Sequence, residues 1–417
     1  MKVTLNRELY LQILFMIAVI VPFFNNYELS FATWFLISVI TVKTNYDVRF
    51  VKYISYFIII FGLSLFIGLF FKYNLFYTIR DITYLLKPIF GLLLGYQLFS
   101  SKIKNPFRFL VYAGIAIASY HLFLVIFGIV VDGARSVREI REIAGYFNDF
   151  EIYALIILIF HKQFRLEFSK KTTRLFLIIL AFSSFFYLAR TNFIQFIILY
   201  FAMKGWLVLN KKSLIIIFSL VAVSILGYGA IYNYNPKRGG DGLDEFLYKL
   251  KVLPEEALST KINRNDWKDF HDHYRSYEIV RTIEQLSHNK TYLFGEGIGS
   301  QVDLKQKVYL GDMELRHISI LHNGYMTVFL KSGILGTFFL LVSILFFFSK
   351  FKKENEIDDK INILFKGTGY FLIISYWVFL GFYNLIDTKT LLIGFLFAYK
   401  HNLTKLNENN ISHTPIS

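Results

Sequence analysis

Long apolar runs, separated by short charged segments, make up most of the chain. A helix needs about 20 apolar residues to cross a bilayer, so these runs predict about twelve membrane-spanning helices, some of them short for a full crossing. The predicted spans lie near residues 9–24, 29–42, 53–71, 83–99, 109–131, 148–161, 175–188, 191–209, 213–233, 330–349, 367–385 and 388–400. The pattern therefore predicts an all-α polytopic membrane protein with one large loop between the ninth and tenth spans.

Composition narrows the class of protein further. Hydrophobic residues form 55% of the chain and aromatic residues 19%, which excludes an ordinary soluble enzyme. The chain has no cysteine, so disulfides, thiolate chemistry and cysteine-ligated zinc are excluded as well. No internal repeat or low-complexity tract interrupts the pattern. We therefore expect one membrane domain over residues 1–417.

Lysine and arginine indicate the orientation of this domain. They concentrate in alternate connections, which are cytoplasmic by the positive-inside rule. These residues are Lys43, Arg49, Lys52, Lys102, Lys104, Arg108, Lys162, Arg165, Lys170, Lys171, Arg174, Lys211, Lys212, Lys350 and Lys366. Both termini then lie inside, with a cytoplasmic tail over 401–417 and an external loop or lid over 234–317. The net charge of +15 follows from this topology, so no nucleic-acid partner is implied.

The external loop contains one amphipathic pattern. Apolar side chains recur at intervals of three and four, as on one face of a helix, and cations lie beside them. The apolar set is Trp267, Phe270, Tyr274 and Tyr277, and the cationic set is Arg264, Lys268, His271 and Arg275. The cations either extend along an interfacial helix to reach water or bind an anion, and the pattern leaves both interpretations open.

A second group of cations collects on the predicted outer side. Arg80 and Lys87 flank the third external turn, and Arg135, Arg138 and Arg141 follow the fifth span at intervals of three. Glu139, Glu142 and lipid headgroups account for part of this group. Arg190 differs, because its turn LARTN has almost no acidic neighbour and an arginine between two apolar spans needs a specific anion or carbonyl partner.

The segment HNGYMTVFLKSGILG, at 322–336, places an imidazole and an amide just before a long apolar run. The run ends at Lys350, Lys352 and Lys353, so His322 lies at the opposite membrane surface. Imidazole exchanges protons near neutral pH, which makes this position suitable for acid-base chemistry. The alternative interpretation is a helix N-terminus with polar capping residues.

Four motifs, and their order along the chain, resemble those of the bacterial O-antigen polymerase and O-antigen ligase family, over about residues 140–345. His322 and Asn323 are followed by nine residues, Gly333, two residues and Gly336, which meets the family pattern at every position. The other three motifs are LARTNFIQF around Arg190, NRNDW from Asn263 to Trp267, and LFGEGIG from Leu293 to Gly299. One departure is Phe150 and Glu151, where the family tends to have Pro-Asn.

The resemblance implies an integral-membrane glycosyltransferase of the bacterial inner membrane. Such enzymes move a glycan from undecaprenyl diphosphate to an acceptor hydroxyl at the outer face, with no nucleotide sugar, metal or other cofactor. His322 would be the general base, and Arg190 and Arg264 would hold the diphosphate, with Arg135 and Arg275 as further cations. Asn323, Trp267, Gly333 and Gly336 would support the site. A polysaccharide chain-length regulator is the expected protein partner.

We expect a polymerase of O-antigen or capsular repeat units rather than a ligase, although the shared motifs fit both reactions. Two other classes compete. A transporter would also have about twelve spans, but no matched halves appear and few charges lie at mid-membrane depth. A metal site at Asp269, His271, Asp272 and His273 has the wrong spacing for one helix face. A scaffold without catalytic activity would tolerate loss of His322.

Overall fold

A computed structural model describes residues 7–412, except 25, 101–102, 104, 208–210, 238–243, 245–246, 249, 253–269, 271–272, 311–312, 352, 354 and 385. The fold is mostly helical, with 74% of residues in helices. Two members of the predicted site, Arg264 and Trp267, lie outside the described residues, as do Asp269, His271 and Asp272 of the alternative metal site.

Fourteen helices and one two-stranded sheet can be described from end to end. The first ten helices are α1 Arg7–Ile20, α2 Tyr27–Ile40, α3 Val48–Gly68, α4 Leu75–Leu98, α5 Pro106–Val130, α6 Val137–Ala144, α7 Asp149–Ile159, α8 Lys170–Phe186, α9 Arg190–Met203 and α10 Lys211–Tyr234. Then come α11 Tyr274–His288, β1 Val302–Leu310, β2 Met313–Ile318, α12 Gly324–Leu345, α13 Glu356–Val378 and α14 Lys389–Ser412. Short 3₁₀ turns lie at Val21–Phe24, Phe346–Phe348 and Gly381–Tyr383.

Each apolar run of the sequence overlaps one of these helices. Five of them are long and apolar enough to cross a bilayer, which is compatible with a membrane protein. These candidate spans are Arg7–Phe24, Val48–Gly68, Pro106–Val130, Gly324–Phe348 and Glu356–Val378. The number of twelve spans and the orientation of the termini stay predictions. The final helix also continues to Ser412 rather than ending at Lys400, because His401 packs on Tyr96 and prolongs the contact with α4.

Polar residues between the apolar runs determine where the helices begin. A side-chain oxygen at the residue before the helix accepts a backbone N–H of the first turn, which satisfies a donor that the helix itself leaves unpaired. The residues that do so include Asn26, Asp47, Asn74, Asn105, Asn148, Ser169, Asn323 and Asn355. The same residues that interrupt the hydrophobic pattern therefore fix the helix starts.

Helices α4 and α14 pack backbone to backbone at the centre of the fold. A Cβ added at Gly95 would lie 1.9 Å from the Leu391 carbonyl oxygen, and one at Gly394 would lie 2.1 Å from that of Leu92. Only glycine permits this approach. Lys87, which the sequence predicts beside an external turn, is instead buried in α4, where its Nζ donates to the Asn384 carbonyl at 3.0 Å.

The segment predicted to be external contains a β-hairpin, so the prediction of an all-α fold is wrong there. Strands β1 and β2 pair antiparallel from Val302 opposite Ile318 to Leu310 opposite Met313. Val302 and Leu304 alternate with exposed positions, and they pack on α11 through Tyr277. The Arg316 guanidinium lies 3.0 Å from Asp303 Oδ1, and it lowers the pKa of that carboxyl. The hairpin and α11 thus have a small hydrophobic core of their own.

The position that departs from the family motif has a clear role inside the bundle. Glu151 is fully buried at the start of α7 and accepts hydrogen bonds from Tyr187 Oη at 2.7 Å and from Ser183 Oγ. Ser183 Oγ also lies 2.8 Å from His121 Nδ1, and the His121 ring stacks on Tyr187 with centroids 3.6 Å apart. Glu151 therefore joins α5, α7 and α8 through one buried polar cluster.

Candidate functional site

His322 forms a pair with a glutamate that the sequence motifs do not include. Its Nδ1 lies 2.9 Å from Glu278 Oε1, and its backbone N–H donates to Glu278 Oε2 at 2.8 Å. Glu278 is 0% exposed, whereas the His322 side chain is 42% exposed. The buried carboxylate thus holds both the ring and the backbone of a histidine that still reaches solvent.

Helix α11 places Glu278 because its buried side faces the chain that enters α12. Tyr274, one turn before Glu278, packs its ring edge-on against the His322 imidazole, with centroids 5.7 Å apart. Burial raises the pKa of the Tyr274 phenol, and the Glu278 charge raises it further, so this phenol stays neutral. The imidazole is thereby fixed by a hydrogen bond on one edge and an aromatic contact on its side.

This arrangement selects one tautomer of His322. A carboxylate only accepts hydrogen bonds, so the imidazole must carry a proton on Nδ1 to bond Glu278. In the neutral ring, Nε2 then has a lone pair and can accept a proton. The orienting carboxylate is the feature that distinguishes a positioned general base from a histidine that only caps a helix.

The capping interpretation of the segment is also confirmed, for the residue after the histidine. Asn323 Oδ1 accepts the Met326 N–H at 3.0 Å and caps α12. Asn323 is buried, and the next residue, Gly324, donates its N–H to the Phe379 carbonyl at 2.8 Å. The histidine and the asparagine of the motif therefore have separate roles, since one pairs with Glu278 and the other fixes the helix start.

The motif glycine Gly333 interrupts α12. Its φ of 62° and ψ of −159° break the helix, and the chain of LFGEGIG pairs with the opened backbone. Ile334 N–H donates to the Tyr292 carbonyl at 2.8 Å, and Glu296 N–H donates to the Leu330 carbonyl at 2.8 Å. A Cβ at Gly333 would lie 2.4 Å from the Leu293 carbonyl carbon and oxygen. Two motifs of the resemblance are thus parts of one packing unit.

The second motif glycine, Gly336, lies in the same unit. A Cβ there would lie 1.7 Å from Ser332 Oγ, which donates to the Val328 carbonyl at 2.9 Å. Gly336 therefore leaves room for the serine hydroxyl beside the helix break. Both glycines therefore support the shape of α12 after His322.

We expect Gly333→Ala to destabilise the protein. An alanine at this φ is strained by about 1–3 kcal/mol, and its Cβ would also clash with a backbone that cannot move without losing hydrogen bonds. Thermal unfolding in detergent, followed by size-exclusion chromatography, should show a lower midpoint. Gly62→Ala is the matched control, because Gly62 lies within α3 and a Cβ there meets nothing within 4 Å. Equal midpoints for both variants would contradict the packing role of Gly333.

A buried ion pair joins the glycine-rich segment to α4 and α12. Lys331 Nζ lies 2.6 Å from Asp81 Oδ2, and the same oxygen accepts the Gly299 N–H at 2.8 Å. Lys331 also donates to the Ser300 carbonyl at 2.5 Å. Both charged side chains are nearly inaccessible to solvent. Because a buried charge is stable only when it is paired, this contact fixes the three elements beside His322 relative to one another.

Arg141 lies in the last turn of α6 and Arg190 is the first residue of α9, close enough for the charge of Arg190 to act on Arg141. Arg141 lies over the Tyr146 ring at 5.3 Å. Burial lowers the pKa of Arg141, Tyr146 opposes that shift, and the charge of Arg190 lowers the pKa further. Two neighbouring guanidiniums favour binding of an anion between them.

The other predicted cations occupy different places. Arg135 is exposed before α6, where its backbone N–H donates to Glu139 Oε2 at 2.8 Å and helps to lower the pKa of that carboxyl. Arg275 is half-buried on α11, next to Tyr274. Among the described residues, His322 forms no hydrogen bond or ion pair with an arginine. The predicted cations therefore lie in three different places. Arg190 lies near Arg141, Arg275 lies on the helix that carries Glu278, and Arg135 lies before α6 beside Glu139.

A cavity of about 190 Å³ lies beside the start of α2. Its walls are mainly aromatic rings and amide groups, contributed by Pro22, Asn26, Tyr27, Ser30, Tyr146, Phe147, Phe379, Asn384 and Ile386. Phe379 joins this cavity to the histidine motif through its hydrogen bond with Gly324. Tyr146 joins it to Arg141. Two residues of the cavity wall thus contact other parts of the region: Tyr146 contacts Arg141, and Phe379 accepts the N–H of Gly324, two residues after His322.

Sequence reasoning missed Glu278 and Lys331 as members of this region. Neither is a fixed position of a motif, although Lys331 lies within the segment 322–336, and each acquires its place only when a distant segment folds against it. One signal was available for Glu278: it lies one turn after Tyr274 in the predicted amphipathic helix, and a carboxylate on an apolar helix face needs a partner.

The chain was compared with known proteins in three ways. No protein-family model, no curated protein and no solved structure matches it.

Proposed function

We propose that this chain is an integral-membrane glycosyltransferase that polymerises undecaprenyl-diphosphate-linked repeat units into O-antigen or capsular polysaccharide. The observation that carries the proposal is the pair of His322 and Glu278. A half-exposed imidazole held by a buried carboxylate is suited to removing a proton from a bound hydroxyl. The ordered motifs of the sequence supply the reaction class.

The proposed reaction forms one bond and breaks another. The acceptor hydroxyl oxygen attacks the anomeric carbon of the lipid-linked glycan, and its proton passes to His322 Nε2. The bond between the anomeric carbon and the diphosphate oxygen breaks, and the diphosphate leaves with that electron pair. Glu278 holds Nδ1 and stabilises the imidazolium that forms. No nucleotide sugar is consumed, because the lipid diphosphate is the leaving group.

Arginine suits the diphosphate in this scheme. Its planar guanidinium donates two parallel hydrogen bonds to phosphate oxygens and is always charged. In the proposal, Arg190 and Arg264 hold the leaving group, Arg141 adds positive charge beside Arg190, and Arg135 and Arg275 contribute more distantly. Asn323, Trp267, Gly333 and Gly336 support the site.

The proposed location is the outer face of a bacterial inner membrane, with both termini in the cytoplasm. The five apolar helices support a membrane location in general, and the distribution of lysine and arginine supports the orientation. A chain-length regulator in the same membrane is the proposed protein partner.

Deletion of the gene tests the proposal through the lipid-linked products that remain. A strain without the polymerase should still place a single repeat unit on its acceptor, and it should lack long chains. Electrophoresis of the polysaccharide and mass spectrometry of the carrier-lipid fraction measure both products. Expression of the intact chain from a plasmid should restore long polymer, which is the control for effects on neighbouring genes.

Two other outcomes would point to different functions. Long polymer that accumulates on the carrier lipid, with a bare acceptor, would indicate the ligase that transfers polymer to a lipid A-core acceptor. Repeat units that accumulate at the inner face would indicate a transporter of lipid-linked or other anionic solutes. Either outcome would overturn polymerisation.

A further inference from the structure

Arg80 lies beside the segment that carries His322. It belongs to the second turn of α4, and its Nη2 donates to Ser319 Oγ. Ser319 is fully buried and precedes His322 by three residues. The guanidinium is therefore held at the base of the short segment between β2 and α12, on the side of that segment that faces α4.

The charge of Arg80 has no carboxylate partner among the described residues. Its neighbour Asp81 is engaged by Lys331 and by the Gly299 N–H, so this carboxylate neutralises a different cation. Arg80 Nε is buried without a hydrogen-bond partner. With Nε buried and Nη2 bonded to Ser319, the guanidinium keeps its charge and the N–H groups of Nη1 for an anion.

The surface around Arg80 is apolar. Its guanidinium carbon lies 5.0 Å from the Tyr77 ring centroid and 5.8 Å from that of Phe76. Leu75, Phe76 and Ile79 expose 71%, 65% and 52% of their surface along the same end of α4. In a membrane protein, such a face contacts acyl or prenyl chains. Arg80 thus stands between an outward apolar face and the histidine segment.

We propose that Arg80 binds the phosphate groups of the polyprenyl diphosphate donor, with the prenyl chain lying along Leu75, Phe76 and Ile79. This inference rests on the proposed function, and it identifies where the lipid part of the substrate enters. The predicted ligand therefore has an anionic head group that is covalently attached to a long apolar chain. A soluble phosphate would match the guanidinium but not the apolar face, and a phospholipid would match both less specifically.

Direct binding tests this assignment. The full chain is purified in nanodiscs of zwitterionic phosphatidylcholine, and undecaprenyl diphosphate is titrated with detection by native mass spectrometry. A hydrogen bond to a charged group is worth enough that Arg80→Ala should weaken binding by about tenfold to a hundredfold. Arg80→Gln, which keeps a donor for Ser319 but has no charge, should weaken it nearly as much. Arg80→Lys should fall between these variants and the wild type.

Arg316→Ala is the matched control. Arg316 is another external arginine, but it is exposed and paired with Asp303. The Arg316→Ala variant should bind undecaprenyl diphosphate with wild-type affinity. Wild-type affinity in both Arg80→Ala and Arg80→Gln would overturn the proposal. Phosphatidylglycerol that displaces the probe at equal concentration would also overturn it, by indicating a general phospholipid site. Inorganic phosphate at millimolar concentration should displace little of the probe, and full displacement would indicate an anion site without a lipid component.

The experiment separates this inference from the proposed function. His322→Asn should bind undecaprenyl diphosphate normally, because the base contacts the acceptor rather than the lipid phosphate, while its transfer activity is lost. If His322→Asn keeps full transfer, the proposed function fails regardless of Arg80. If transfer requires His322 but the Arg80 variants bind undecaprenyl diphosphate with wild-type affinity, only the assignment of Arg80 fails.

Discussion

Replacement of His322 by asparagine should reduce glycan transfer by about 10²- to 10⁴-fold, the range that one general base commonly supplies. Asparagine has no group that takes up a proton near neutral pH. The acceptor hydroxyl would then have to lose its proton to water during the attack. The lipid-linked donor should still bind, so the loss should appear in the turnover rate rather than in the donor concentration needed for half-maximal rate.

Asparagine is a sharper test than alanine at this position. Both oxygens of the buried Glu278 carboxylate accept hydrogen bonds from His322, one from the ring and one from the backbone. Alanine removes the ring donor and leaves a buried oxygen unsatisfied, at a cost of about 1–3 kcal/mol. The asparagine amide can place an N–H near the position of Nδ1. Inactivity of His322→Asn would therefore reflect lost proton transfer rather than lost folding.

Polymer made by His322→Asn in a strain without the native gene measures the effect, and yield after size-exclusion chromatography reports folding. His317→Asn serves as the control, since His317 is an exposed histidine of the hairpin five residues earlier. It should leave polymer unchanged. Wild-type polymer from the His322 variant would remove the catalytic role from this residue.

The helices were predictable because their cause is local. Each apolar run carries its own signal, and polar caps such as Asn74 and Asn323 lie directly at its start. Gly333 and Gly336 were also found from sequence, but only as motif positions. The physical reason for Gly333, a helix break whose backbone bonds the turns between Tyr292 and Glu296, appears once both segments are placed together.

The charge pairs of the candidate site could not be predicted from the sequence, because they depend on contacts between distant residues. Glu278 and His322 are 44 positions apart, and Asp81 and Lys331 are 250 apart. A charge on an apolar helix face indicates that a partner is needed, but no local pattern indicates which distant residue that partner is. The β-hairpin was not predicted for another reason. A register shift between Asp303 and Val308 interrupts the alternation of apolar and polar residues that would have indicated β1.

The same dependence on distant contacts makes Glu278 the most informative residue to change. Glu278→Gln keeps the size of the side chain but removes its charge, and its amide can rotate to donate to Nδ1. That rotation would favour the tautomer that carries its proton on Nε2, where the lone pair is needed. We expect the rate to fall by about 10²- to 10⁴-fold, close to the loss from removing the base itself. Glu278→Asp should lose less, because it keeps the charge and only shortens the reach.

Glu284→Gln is the matched control on the same helix. Glu284 is a half-exposed glutamate that pairs with Arg281, and among the described residues no hydrogen bond or ion pair joins it to His322 or Glu278, so its substitution should not affect transfer. A purely structural role for Glu278 predicts that Glu278→Gln lowers the amount of folded protein while the rate per folded molecule and its dependence on pH stay normal. A positioning role predicts the reverse: normal yield, a low rate, and a pH profile that differs from the wild type because the imidazolium is no longer stabilised by a carboxylate. Normal rate and normal pH profile in Glu278→Gln would reduce the pair to a packing contact, even if His322 itself proved essential.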